Sequence, residues 1–85
     1  MTRLWSKGTP IVVFQNGSDS PERLLWGGQT HPVAEIAKQW RVNVDWWRGE
    51  PVARDYYKLT TTSGLLLIIY CDLHSGAWYL QRLYD

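Results

Sequence analysis

Apolar and polar residues fall along this chain in short runs separated by turn-forming residues, and the runs have the composition of strands. PIVVFQ, from Pro10 to Gln15, is β-branched and aromatic, and the NGSDSP that follows, Asn16 to Pro21, is a dense turn cluster. ERLLW, from Glu22 to Trp26, meets Gly27-Gly28, a pair suited to the positive φ angles of a type I′ hairpin turn. A third strand is therefore expected from Gln29. RGEP, Arg48 to Pro51, reads as a turn, because Pro51 cannot donate to a ladder and belongs at an edge or in a loop. ARDYYKLTT, LLLIIYCDL and AWYLQRLYD are then three strands, joined by Thr62–Gly64 and His74–Gly76 into an antiparallel meander. LLLIIY does not alternate, which marks a central strand covered on both faces.

HPVAEIAKQWRV supports two readings. Val33, Ile36, Ala37 and Trp40 are spaced like the stripe of an amphipathic helix, and Pro32 suits a first helical position. The neighbouring WRVNVDWW instead alternates at Val42, Val44 and Trp46, so a bulged strand continuing from Gln29 competes with a short helix over 32–40.

The length sets the architecture. A chain of 85 residues is one domain, and a domain of this size buries only roughly 60% of its unfolded surface. Its core needs bulky side chains, which six Trp, five Tyr and one Phe supply. The expected fold is all-β: a small antiparallel meander of five to six strands, strongly curled or closed into a barrel, which also removes exposed edges. Residues 1–8 are expected as a flexible N-terminus and residues 9–85 as the single β domain.

Two adjacent aromatic pairs, Trp46-Trp47 and Tyr56-Tyr57, complicate that picture. Neighbouring strand residues point to opposite faces, so each pair sends one ring inward and one outward. If Asp55, Tyr57, Leu59 and Thr61 face the core, then Arg54, Tyr56, Lys58 and Thr60 share the outer face. In the last strand, strict alternation groups Trp78, Leu80, Arg82 and Tyr84 against Tyr79, Gln81 and Leu83, so neither side is cleanly polar. The outer rings must be covered by the N-terminal hairpin, by a second copy or by a partner. A binding surface built on the pairs would comprise Trp47, Arg48, Arg54, Tyr56 and Lys58, since Trp, Tyr and Arg tend to anchor interfaces.

The chemistry-bearing residues add little. A formal net charge of +1 lacks the basic excess of a protein held to nucleic acid by phosphate neutralisation, although rings flanked by Arg and Lys could stack single-stranded bases. Cys71 is the single cysteine, which excludes an internal disulfide and suits a reducing cytoplasm. YCDLH gathers Cys71, Asp72 and His74, but a cysteine closing an apolar strand is an inert thiol, and Cys71 with His74 is only half of a zinc site. No catalytic residue, metal or cofactor is expected. The N-terminal MTRLWSKGTP has no apolar signal core, and the apolar run Leu65–Cys71 is far short of a membrane span.

The C-terminal half resembles a small bacterial family of unknown function. Its members share a tryptophan segment, here Trp46-Trp47; a basic residue and tyrosine pair, Arg54 with Tyr56-Tyr57; and a glycine turn at Gly64. An aromatic-Asp step, Tyr70 with Asp72, then precedes Gly76 with Trp78 and the terminal Tyr84-Asp85. The likeness runs from about Leu24 to Asp85, with His31 standing where an aromatic is expected. A domain similar to this family ends ImuB-type proteins, catalytically inactive relatives of Y-family polymerases in the bacterial mutasome. The resemblance implies a protein-contact module linked to DNA repair and translesion synthesis, with no active site of its own. The expected function is thus non-catalytic protein binding, with polymerase or mutasome components as partners. Single-stranded nucleic-acid binding and homodimeric self-association are the alternatives.

Overall fold

A computed structural model of the chain describes residues 2–44 and 52–84. These form six strands: β1 (Thr2–Gln15), β2 (Pro21–Trp26), β3 (Gln29–Val44), β4 (Val52–Thr61), β5 (Leu66–Asp72) and β6 (Trp78–Tyr84). Each strand pairs antiparallel with the next, and β1 returns to β6 to close a barrel. Closure depends on the two long strands. β1 pairs with β6 from Thr2 to Ile11 and with β2 from Val12 to Gln15, while β3 pairs first with β2 and from Val33 with β4. The all-β barrel expectation therefore holds.

The turns follow local chemistry. Gly27 and Gly28 both have positive φ, 62° and 76°, as the β2–β3 hairpin requires. In the β1–β2 loop the Asn16 side-chain oxygen accepts from the backbone N–H groups of Ser18 and Ser20, which lets Asp19 adopt a φ of 59°.

β3 is strand throughout, with register shifts between Val33 and Glu35 and between Ile36 and Lys38. Each bulge adds a residue, so Val33, Ile36 and Gln39 all lie opposite inward residues of β4, namely Thr61, Leu59 and Tyr57. Three-residue spacing along a doubly bulged strand imitates a helical stripe. Trp40 departs from that stripe and packs outward with Val42.

A bulge also corrects the grouping in β6. Gln81 has no opposite residue in β5, since Ile68 faces Arg82 and Ile69 faces Leu80. Trp78, Leu80 and Leu83 therefore pack on the core, while Tyr79 and Tyr84 pack on the outer cluster. β1 begins at Thr2 rather than near Pro10. Its residues 5–8 lie opposite Gln81 alone, between the Leu4–Arg82 and Thr9–Leu80 pairs.

The interior is filled by Leu24, Tyr57, Leu59, Leu67, Ile69, Leu80 and Leu83. β5 contributes to both sides: Leu67 and Ile69 point into this core, and Ile68 and Tyr70 belong to a second cluster with Tyr56 on the outside. His31, opposite Leu24, is buried against the Trp26 ring, with its Nε2 at 3.2 Å from the Trp26 carbonyl.

Candidate binding face

Register across β3–β6 turns the outer surface into rows perpendicular to the strands. Trp40 faces Tyr56, Tyr56 faces Tyr70, and Tyr70 faces Tyr79. Successive ring centroids in this row lie 5.3, 5.2 and 5.1 Å apart, and the Trp40–Tyr56 pair is nearly parallel at 6°. Such spacings fall within the favourable range for ring pairs.

The row is largely sealed by the domain itself. Tyr56 is 9% exposed and Tyr70 only 3%. Part of the cover comes from β1, where the bulge brings the Gly8 backbone so close that a Cβ there would meet Tyr79 Cβ at 2.8 Å and Tyr70 Oη at 3.0 Å. Arg54 supplies more, with its guanidinium 4.5 Å from the Tyr70 centroid and Nη1 donating to Tyr56 Oη at 3.2 Å. Burial pushes the Tyr70 phenol above its ordinary pKa.

On one side of the rings runs a second row: Lys38 opposite Lys58, Lys58 opposite Ile68, and Ile68 opposite Arg82. Lys38 Nζ lies 5.3 Å from the Trp40 centroid; Lys58 Nζ and the Arg82 guanidinium each lie 5.6 Å from that of Tyr84. Arg82 also donates to Tyr84 Oη at 3.1 Å. On the other side Arg54 is the ladder partner of Asp72. Among the described residues none of these four cations forms an ion pair.

The structure brings Arg54, Tyr56 and Lys58 together on the outer face of β4, as alternation indicated. Trp47 and Arg48, with Trp46, lie outside the described residues. Tyr56 requires a correction: its ring is packed between Trp40 and Tyr70 and offers no open face. The outer face also carries Lys38, Trp40, Tyr70, Tyr79 and Arg82, which alternation within single strands did not group with Arg54, Tyr56 and Lys58. Tyr70 was within reach of simple alternation in β5, but bulges hid the facing of the residues in β3 and β6.

Opposite chemistry collects inside one barrel mouth. Arg41 grips Asp55 through Nε–Oδ1 at 2.6 Å and Nη2–Oδ2 at 3.0 Å. A cleft of about 390 Å³ beside this pair is lined by Gln39, Tyr57, Cys71, Trp78 and the Ser18–Ser20 turn. Burial, with help from Asp55 and Asp72, pushes the Cys71 thiol up, so it stays protonated at neutral pH. His74 is exposed in the β5–β6 turn, where its backbone N–H donates to Asp72.

These features sit within a match that spans almost the whole barrel. The chain belongs to the DUF6504 family. The family is described as a domain of unknown function, and its match covers residues 7–85. DUF6504 thus includes most of β1 as well as the C-terminal half. No curated protein and no solved structure matches the chain.

Proposed function

We propose that this DUF6504 domain is a non-catalytic binding module that engages a partner protein through the outer face of β3–β6. One observation carries the reading: Lys38, Arg54, Lys58 and Arg82 stand on a platform of packed rings, with no ion pair among the described residues to neutralise them. The resemblance to the C-terminal domain of ImuB-type proteins adds a setting, a cytoplasmic translesion-synthesis assembly. Among the described residues no helix is long and apolar enough to cross a membrane.

The test is retention of purified mutasome polymerase and accessory proteins by the tagged domain, wild type against Lys58→Ala. Retention by wild type with loss in the variant supports the reading. Equal retention moves the contact off this face, and no retention removes the translesion setting.

Single-stranded nucleic acid fits less well, because base stacking needs open rings and Tyr56 and Tyr70 are buried. Self-association draws on a different surface. Val12 and Leu25 oppose each other on β1 and β2 and are 52% and 37% exposed. Sedimentation over a range of concentrations tests it, since a Leu25→Glu change lowers the mass if this pair joins two copies.

A further inference from the structure

Building on the protein-binding reading, we propose that the occupant of this face is an extended acidic segment of a partner protein, laid across the strands along the Lys38–Lys58–Arg82 row. Lys38 and Lys58 are directly opposed on adjacent strands, an arrangement that works against folding. The row running through Lys38, Lys58, Ile68 and Arg82 contains no carboxylate. The Arg41–Asp55 ion pair lies at the barrel mouth on the opposite face of β3 and β4. Among the described residues the carboxylate nearest this row on the same face is Glu35, opposite Thr60, and it forms no ion pair with Lys38 or Lys58.

Each of the three cations rests against a ring, Trp40 for Lys38 and Tyr84 for Lys58 and Arg82. Holding a long side chain on an aromatic face before binding reduces the entropy lost when an anion arrives.

Adjacent strands lie about 4.8 Å apart, so the row from Lys38 on β3 to Arg82 on β6 extends about 14 Å. An extended peptide places alternate side chains about 6.7 Å apart, so three carboxylates at every second position cover about 13 Å. Bases would find no comparable footing, because the neighbouring tyrosine rings are occupied by one another and by Arg54.

The experiment titrates the domain into a fluorescein-labelled peptide of alternating glutamate and serine, with a lysine–serine peptide and a ten-nucleotide oligothymidylate as comparisons, at low and high salt. Expected is saturable binding of the acidic peptide, weakened by salt and weakened about tenfold by Lys38→Glu. The same substitution converts an opposed like pair into an attractive one, so it should raise the melting temperature while lowering affinity. That opposite movement separates a lost contact from a lost fold. Unchanged affinity in Lys38→Glu, tighter binding of oligothymidylate, or no acidic-peptide binding at low salt overturns the proposal. If Lys58→Ala still abolishes retention of the partner protein, only the acidic-segment assignment falls; if it does not, the binding face falls with it.

Discussion

Replacing Gly8 by alanine probes what shields the outer aromatic row. Gly8 has φ +73°, a conformation that disfavours a Cβ by about 1–2 kcal/mol. The new methyl would also sit 2.8 Å from Tyr79 Cβ, an atom fixed to the β6 backbone, and 3.0 Å from Tyr70 Oη. Such overpacking typically costs about 1–3 kcal/mol. Together the two effects give a loss of about 2–5 kcal/mol, a large share of the roughly 4–13 kcal/mol expected of a domain this size. Gly76 supplies the control, since its φ is +76° and nothing lies within 4 Å of a Cβ built there. Gly76→Ala therefore carries the conformational part alone, about 1–2 kcal/mol. Urea unfolding followed by tryptophan fluorescence measures both. With a slope of about 1–1.5 kcal/mol/M, the Gly8 variant should lose about 0.7–3 M more in midpoint than the Gly76 variant, with no change in slope. Equal midpoints in the two variants would refute the close approach of β1 to Tyr70 and Tyr79, and with it the intramolecular cover.

Tyr57→Ala, in the core, should cost about 3–5 kcal/mol, and Tyr56→Ala at least about 2 kcal/mol because its ring is packed between two others; near-wild-type melting of Tyr56→Ala would show the outer row to be open. Without ligand, Lys38→Glu should stabilise by about 0.2–1 kcal/mol in the same urea assay, and any loss of stability would count against the opposed-lysine register. Burial raises Tyr57, Tyr70 and Cys71 in the folded state, so each favours folding fully below its unfolded pKa and loses that contribution as pH climbs through the folded value. The urea midpoint should accordingly be insensitive to these groups at neutral pH and fall above about pH 9, whereas a midpoint rising with alkali would reverse the assigned direction. Alkylation of Cys71 by iodoacetamide at pH 7 should be slower in the folded domain than in urea, and equal rates would place the thiol in open solvent.

Strand number, the facing of β4 and β5, and every turn position except Arg48–Pro51, which lies outside the described residues, were legible because each depends on neighbours in sequence. Gly27-Gly28 must turn wherever it sits, Tyr56 and Tyr57 must point apart in any strand, and the unbroken apolar run of β5 must be covered twice. The proposed binding face was legible only at Arg54, Tyr56 and Lys58, the members lying on one regularly alternating strand. Bulges defeat this kind of inference: an inserted residue leaves composition unchanged but reverses which side every later residue faces. That is why Trp40 read as part of a helical stripe and why Arg82 was grouped with core residues.

By itself, then, the sequence determined that this chain is a small all-β domain with aromatic rings on both sides of its sheet. Tertiary structure alone decided that β1 returns to β6, that Gly8 closes over Tyr70 and Tyr79, and that Lys38, Lys58 and Arg82 share a row. Alternation is a property of one strand, whereas register is a property of two, fixed by how a bulge and its partner strand bury side chains together. Contacts between residues distant in sequence, on which both the sealing of the rings and the grouping of the cations depend, exist only after that choice is made.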